Sequence, residues 1–141
     1  MERRRVVITG LGAVTPLGLT AGESWRAARE GVCGIGPITL FDPAGMKVQL
    51  AAEVKGFDPD ALFGKPEAKR MGRFTQFALA AAREALADSG FQVEQADPGR
   101  CGVSVSSGIG GIGITEEEHD RGLARGWDRV SPFFIPTGIC N

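Results

Sequence analysis

The sequence predicts an α/β layered fold, because strand-like runs alternate with helical patterns along the chain. The strand-like runs are residues 4–9, 48–54 and 100–106, and a helical segment follows each of them. Twenty-one glycines fall in discrete clusters, which indicates tight turns at defined places. A length of 141 residues favours a single domain with its own core.

The three strand-like runs differ in their pattern of apolar residues. Residues 4–9 and 100–106 are rich in valine or other β-branched residues without a clear polar face, which is typical of buried strands. Residues 48–54 place apolar side chains at alternate positions, which predicts a strand with one solvated face. We therefore expect the first and third runs to be buried.

Three helices are predicted by their caps and their spacing. Thr20, followed three residues later by a glutamate, predicts a helix over about 21–30. A second helix over 67–89 has apolar residues at three- and four-residue steps and ends at Gly90. Thr115 is expected to cap a third helix, whose glutamate-rich first turn suits the helix dipole.

Composition excludes several classes of function. Sixteen basic and seventeen acidic residues leave a net charge of -1, so there is no overall positive field for nucleic acid or an anionic membrane. The apolar run behind the basic N-terminus is too short for a signal peptide or a membrane span. The three cysteines, Cys33, Cys101 and Cys140, show no paired spacing, which argues against a metal site and favours a cytoplasmic protein with reduced thiols.

Two glycine-rich segments raise the alternative of a dinucleotide-binding domain. Residues 108–113 match G-x-G-x-x-G in full, whereas residues 10–15 have Thr15 in place of the third glycine. The first segment continues into a longer loop, and glutamates after the second would repel a pyrophosphate. The sequence therefore favours tight loops at strand ends and no cofactor, with dinucleotide binding as the alternative.

A nucleophilic pair of Cys140 and His119 is a further hypothesis, because a thiolate needs a base or a helix N-terminus to lower its pKa. Cys140 lies in an apolar stretch, and His119 follows three glutamates on a predicted solvated helix. A surface histidine and an unreactive thiol are the simpler interpretation.

Four basic residues cluster around the start of the second predicted helix: Lys65, Lys69, Arg70 and Arg73. They are consistent with a solvated helix end, and equally with a docking site for an acidic protein surface. At this point both interpretations remain open.

Several segments together resemble one enzyme family. They are residues 6–18, 34–38 with 41–42, 69–78, 107–111 and 131–136, which occur in order and are spread over essentially the whole chain. In these segments the chain resembles the β-ketoacyl-[acyl carrier protein] synthases, and most closely the elongating synthase II type of bacterial fatty-acid synthesis. The combination is far more specific than either glycine motif alone.

This resemblance implies the N-terminal part of a thiolase fold, in which two α/β halves pack in layers and the protein forms a homodimer. Family members take an acyl group onto a cysteine at a helix N-terminus, decarboxylate malonyl-carrier protein, and join the two with the help of two histidines. All three residues lie beyond the position that matches Asn141. The resemblance therefore implies a partial synthase domain over residues 1–141, without catalytic residues and inactive alone.

The resemblance also implies binding roles for individual residues. Ile109 matches the residue that gates the acyl-chain pocket, and Phe134 matches an aromatic residue that lines this pocket near the dimer partner. The basic patch that meets the acidic acyl carrier protein falls at or near four residues here: Lys65, Lys69, Arg70 and Arg129. Asp128 stands where a basic residue is common in the family, so it is expected to weaken or shift this patch.

Related proteins remain as alternatives at this level. A polyketide ketosynthase, or a chain-length factor that lacks the cysteine, would share these segments, and a non-catalytic carrier-protein binding module would share the basic patch. A cysteine in a Thr-Ala-Cys context with two later histidines would identify a synthase, whereas a glutamine would identify a chain-length factor. We expect marginal stability of the chain alone, because unpaired strands leave apolar edges open.

Overall fold

The computed structural model describes residues 5–139, which form α-helices, 3₁₀ helices and a two-stranded sheet. The α-helices are α1 (Ala21–Arg29), α2 (Pro59–Phe63), α3 (Lys65–Ala68), α4 (Arg73–Ser89), α5 (Ile112–Arg125) and α6 (Phe134–Gly138). The strands are β1 (Ile35–Pro37) and β2 (Leu50–Ala52), and the 3₁₀ helices are Val93–Gln95, Pro98–Arg100 and Trp127–Arg129.

The chain divides into two compact units. The first unit comprises the described residues up to Phe57 together with Ala80–Phe91. The second unit comprises Asp58–Leu79 and the described residues from Gln92 onwards. Helix α4 contributes its C-terminal half to the first unit and its N-terminal half to the second.

The predicted helix after Thr20 is confirmed as α1, and its capping residue acts as expected. The Thr20 hydroxyl accepts a hydrogen bond from the Glu23 backbone N–H at 3.1 Å. The Glu23 carboxylate reaches back and accepts the N–H of Leu19, the residue before the cap, at 2.8 Å, so one donor of the first turn and one donor just before the helix are satisfied.

The predicted helix over 67–89 is interrupted, because α3 ends at Ala68 and α4 begins at Arg73. The Gln76 side-chain amide donates to the Ala68 carbonyl at 2.9 Å and to the Met71 carbonyl at 3.3 Å. These bonds replace the backbone N–H groups that a continuous helix would offer. The C-terminal end of α4 is as predicted, since Gly90 follows it with a φ of 63°.

The predicted buried strands over 4–9 and 100–106 are wrong for the residues that the structure describes. Residues 5–9 and 101–106 lie outside all helices and strands, and Val6 and Val103 are 94% and 92% exposed. Their valine-rich composition suits a strand, but a strand also needs a hydrogen-bonded neighbour, and none is present among residues 5–139. The predicted strand at 48–54 is confirmed in its centre as β2, which pairs with β1 in antiparallel register.

The expected core is nearly absent from the part of the chain that the structure describes. Ala68 is the one apolar residue there that is fully buried. The accessible surface is 11316 Å², whereas a folded 14.8 kDa monomer exposes about 7,000 Å². The exposed apolar surface agrees with the expectation of open edges and contradicts the expectation that the chain forms its own core.

Candidate functional site

The loop that carries Ile109 is held by hydrogen bonds at both of its ends. The Ser107 hydroxyl accepts the Gly110 N–H at 3.0 Å, and the Gly111 N–H donates to the Gly138 carbonyl at 2.8 Å. Gly110 has a φ of 73°, and a Cβ there would lie 2.6 Å from the Gly138 oxygen, so this position requires glycine. Ile109 itself is 73% exposed, which leaves its side chain available for contact with another molecule.

The helix tied to this loop is α6, which begins at the other residue of the predicted acyl pocket. Phe134 is half-buried at the first position of α6, and Gly138 is the last residue of the same helix. The Gly111–Gly138 bond therefore links the Ile109 loop to the helix of Phe134 within one compact unit. The structure brings these two elements together, as an acyl pocket built from both would require.

A buried carboxylate fixes the segment that precedes α6. The Glu118 side chain on α5 is 10% exposed, and its carboxylate accepts the Ser131 N–H at 2.7 Å and a bond from the Arg121 guanidinium. Ser131 in turn accepts the Phe133 N–H on its hydroxyl and the Phe134 N–H on its carbonyl, at 3.1 Å and 3.0 Å. This role could not be predicted from the sequence, because Glu118 belongs to a run of three glutamates that is typical of a solvated helix face.

The predicted carrier-protein residues lie on the surface of the second unit. Lys65 begins α3, Lys69 caps its C-terminal end, Arg70 follows directly, and all three are exposed. Arg70 forms an exposed ion pair with Glu67, at 3.5 Å. Such an exposed pair contributes little to stability, but the Glu67 carboxylate offsets part of the positive charge of Arg70.

The fourth basic residue, Arg129, has a competing neighbour. Arg129 ends the 3₁₀ helix Trp127–Arg129, and its Nε lies 3.5 Å from an oxygen of Asp128. Both side chains are exposed, so the pair contributes little to stability, but the carboxylate offsets the positive charge. The weakening of a carrier-protein patch by Asp128 stays a prediction.

Two backbone donors of the glycine-rich loop over 10–15 are bound to carboxylates. The Leu11 N–H donates to the Asp88 carboxylate at 2.9 Å, and the Ala13 N–H donates to the Glu84 carboxylate at 2.9 Å. Glu84 also accepts the Ala21 N–H at the start of α1, at 2.9 Å. Two carboxylates therefore occupy two of the donors that this loop could offer a phosphate, and their negative charge opposes a phosphate ligand.

The second glycine-rich segment differs from the prediction in where its helix begins. Helix α5 begins at Ile112, directly after Gly111, so Thr115 lies inside the first turn and does not cap it. The predicted acidic first turn is therefore wrong, because the glutamates start one turn later. The N–H groups of Gly110 and Gly111 are bound to Ser107 and Gly138, which leaves neither for a phosphate.

The described structure provides no support for a Cys140–His119 pair. Cys140 lies outside the described residues. His119 is exposed on α5, where its ring packs against Trp127 with a centroid distance of 5.9 Å and its Nδ1 lies 3.5 Å from Asp120. Among residues 5–139 there is no group of three histidine, cysteine, aspartate or glutamate side chains arranged to hold a metal ion.

The first unit has an open apolar cavity of about 770 Å³. It is lined by α1, by the loop before this helix and by the chain around β1, with Trp25 and Val32 among its walls. None of the residues predicted for the acyl pocket lines it. Across residues 5–139, no helix is both long enough and apolar enough to cross a membrane.

Comparison with protein families gives one match over nearly the whole chain. The model described as "Beta-ketoacyl synthase, N-terminal domain" matches residues 3–140. Among curated proteins the chain is similar to the 3-oxoacyl-[acyl-carrier-protein] synthase 2 of Coxiella burnetii, with 44% identity over 141 residues, and of Synechocystis sp., with 41% identity over 141 residues. The alignment covers 100% of this chain but 34% of each relative.

Solved structures of ketosynthases have the same fold over this length. The ishigamide ketosynthase/chain length factor gives a TM-score of 0.85 at 30% identity, covering 98% of this chain and 34% of that one. A β-ketoacyl synthase from Burkholderia phymatum gives 0.72 at 29% identity, covering 94% and 33%. A type II PKS ketosynthase in complex with its acyl-carrier protein gives 0.77 at 21% identity, covering 97% and 35%, which is a likeness of fold alone.

Proposed function

Since the chain belongs to the β-ketoacyl synthase family, we propose that it is the N-terminal part of an enzyme that lengthens acyl chains in fatty-acid synthesis. In this reaction the acyl group is held as a thioester on the family's cysteine. Malonyl-carrier protein loses carbon dioxide, and its carbanion displaces the cysteine thiolate to give a 3-oxoacyl-carrier protein. The observation that supports this proposal is the similarity to synthase 2 proteins over the full 141 residues.

The 141 residues are proposed to be inactive by themselves. The chain spans 34% of the length of the relatives that it matches, and the cysteine and two histidines of the family match none of its positions. Activity therefore requires the remaining part of a synthase. We further propose that this complete enzyme is cytoplasmic and forms a homodimer, and that its chemistry needs no cofactor.

Within this enzyme, Ile109 and Phe134 are proposed to form part of the acyl-chain pocket. The bond between Gly111 and Gly138 holds their two elements together, and the exposed side chain of Ile109 suits an apolar ligand. Replacement of Ile109 by phenylalanine in the full-length enzyme is expected to lower kcat/KM for long acyl chains by about tenfold or more, and for short chains much less. An equal loss for all chain lengths would argue against a role in the pocket.

Lys65, Lys69, Arg70 and Arg129 are proposed to bind the acidic acyl carrier protein. Exposed charges of one sign attract an oppositely charged partner at long range, and salt weakens this attraction. The double variant Lys69→Glu and Arg70→Glu should therefore weaken binding strongly at low salt and little at high salt. Unchanged affinity of this variant at low salt would show that Lys69 and Arg70 do not belong to the binding surface.

The decisive test of the proposed function is the coding sequence that follows the Asn141 codon. A synthase requires a cysteine in a Thr-Ala-Cys context and two later histidines, and the purified full-length protein should then form 3-oxoacyl-carrier protein from acyl- and malonyl-carrier protein. A glutamine in place of the cysteine would instead identify a chain-length factor. A full-length protein that has the three residues but condenses neither fatty-acyl nor polyketide substrates would contradict the proposal.

A non-catalytic carrier-protein binding module is the second candidate, favoured by the exposed basic residues at α3. It predicts salt-sensitive binding of the carrier protein by the chain without any condensing activity. The dinucleotide-binding alternative is opposed by the carboxylates of Asp88 and Glu84, which accept hydrogen bonds from the first glycine-rich loop. It would require that a nicotinamide cofactor raise the melting temperature, and we expect no such shift.

A further inference from the structure

Helix α5 and the chain that follows it are joined at two points. We call residues 126–134 the return segment, because it runs from the C-terminal end of α5 to the first residue of α6. The first junction is the bond from the Ser131 N–H to the Glu118 carboxylate, at 2.7 Å. The second is the contact of the Trp127 ring with Gly122, where a Cβ would collide with the indole.

The Glu118 junction is the stronger of the two because it is buried and charged. A carboxylate that is removed from water must be compensated by hydrogen bonds or an opposite charge, and here the Ser131 N–H and Arg121 provide both. The neighbouring Glu117 on the same helix is exposed and makes no such link in the described structure. One of two adjacent glutamates is therefore bound to the return segment, and the other offers a matched control.

Ser131 stands between the two functional residues of the return segment. Arg129, in the proposed carrier-protein surface, precedes Ser131 in the chain, and Phe134, in the proposed acyl pocket, follows it. Ser131 links Glu118 to the start of α6, because its hydroxyl and carbonyl accept the N–H groups of Phe133 and Phe134. A shift at Ser131 would therefore displace Phe133 and Phe134 directly, and it would reach Arg129 through the two peptide units between them.

We infer that Glu118 is a positioning residue that fixes Arg129 and Phe134 together through the Ser131 N–H. Glu118 touches neither the carrier protein nor the acyl chain; it determines where the residues that do so are held. This inference rests on the proposed function of Arg129 and Phe134. It makes Arg129 of the carrier-protein surface and Phe134 of the pocket wall parts of one segment that Glu118 anchors.

The first experiment measures the anchor without reference to function. In the full-length protein, Glu118→Gln removes the charge but keeps a similar shape, and Glu117→Gln is the control with the same loss of charge. Amide hydrogen exchange at Ser131 and Phe134 should become about tenfold faster or more in Glu118→Gln and stay unchanged in Glu117→Gln. Unchanged exchange in Glu118→Gln, with the helical circular dichroism preserved, would overturn the inference.

The second experiment tests whether Glu118 acts through Arg129. Binding of an acidic acyl carrier protein should weaken about tenfold in Glu118→Gln, and adding Arg129→Ala should weaken it little further, because the two changes remove one contact. Lys69→Ala lies outside the return segment, so its effect should add in full to that of Glu118→Gln. Additive effects for both pairs would overturn the inference, since general destabilisation predicts no special coupling to Arg129.

The two experiments separate failure of the inference from failure of the proposed function. If the wild-type protein does not bind the carrier protein, the proposed carrier-protein surface is wrong and Glu118 has no part in it. If binding is normal but the coupling to Arg129 is absent, the surface stands and the positioning role of Glu118 fails.

Discussion

At the scale of single residues, the pair of Asp128 and Arg129 bears directly on the proposed carrier-protein surface. Asp128 stands beside Arg129, with 3.5 Å between a carboxylate oxygen and the guanidinium Nε, and the two side chains are 78% and 69% exposed. An exposed pair of this kind contributes little to folding because both groups are well solvated apart. Its main effect is on the electrostatic potential of the proposed carrier-protein surface.

We therefore predict that Asp128→Asn strengthens binding of an acidic acyl carrier protein. The gain should be roughly two- to fivefold at low salt and should disappear at high ionic strength, because long-range attraction between exposed charges is screened. Titration calorimetry at two salt concentrations measures it. Glu94→Gln, an equal change of charge at another exposed site of the second unit, is the control, and an identical gain there would show that net charge alone is responsible.

A second residue-scale prediction concerns Glu53, whose carboxylate joins β2 to the chain after β1. Hydrogen bonds from the Thr39 hydroxyl at 2.6 Å, and then from the Thr39 and Leu40 backbone N–H groups, lower the pKa of Glu53 below its ordinary 4.5. A lowered pKa means that the folded state favours the carboxylate, so the stabilisation is present above pH 4.5 and is lost as the pH falls through the folded-state pKa.

The measurement is the urea midpoint between pH 3 and pH 7, with Glu53→Gln as the comparison. The wild type should lose stability in the acid range more steeply than Glu53→Gln, which has no proton to gain at this position. Thr39→Val removes the largest cause of the shift and should bring the acid-range behaviour closer to that of Glu53→Gln. Parallel pH profiles of wild type and Glu53→Gln would refute the assigned role.

At the scale of elements, the break between α3 and α4 shows how a distant contact changes a helix. The spacing of apolar residues predicted one helix, but residues 69–72 leave it. A Cβ at Gly72 would lie 2.7 Å from the Thr137 carbonyl, so this part of the chain packs against the end of α6. The buried Gln76 side chain then donates to the carbonyls of Ala68 and Met71 beside the break, and the Ala68 carbonyl also accepts the Met71 N–H at 3.3 Å.

The prediction at this scale is that Gln76→Ala destabilises the second unit by about 1–3 kcal/mol, because it removes two side-chain hydrogen bonds, one of them buried. Urea denaturation measures the loss. Gln49→Ala removes an exposed amide that donates to the Met46 carbonyl at 3.4 Å, and it should change stability by less than about 0.5 kcal/mol. Equal effects of the two variants would mean that the Gln76 bonds contribute nothing beyond surface contacts.

At the scale of the whole molecule, the dominant feature is apolar surface in contact with solvent. The accessible surface of 11316 Å² leaves roughly 10,000 Å² buried on folding, against roughly 14,500 Å² for a compact monomer of this mass. The valine-rich residues 5–9 and 101–106 are part of this exposed surface. Large apolar patches mark surfaces that bind other protein or aggregate.

The corresponding prediction is that the 141-residue chain alone unfolds with a urea m-value about two-thirds of that of a compact domain of equal length, because m scales with the area exposed. It should also bind an apolar dye such as anilinonaphthalene sulfonate, and Val103→Asn should bind less dye. An ordinary m-value without dye binding would contradict the exposed surface described here.

The sequence by itself determined what depends on local chemistry. Capping residues and glycines predicted the start of α1 and the end of α4, and the alternation of apolar residues predicted β2. The family was predicted from several matching segments that occur in order along the chain. It also indicated that Asp128 opposes a basic patch, since charges in adjacent positions lie close in space.

Only the tertiary structure decided which segments have partners. It left two valine-rich runs unpaired, interrupted a helix at Gly72, and buried Glu118 while its neighbour Glu117 stayed exposed. The local sequence indicates which secondary structure a residue favours. Strand pairing and burial depend on contacts with residues that are distant in the sequence. For the same reason, the sequence did not predict that the Asp88 and Glu84 carboxylates bind the first glycine-rich loop, where they oppose a nucleotide.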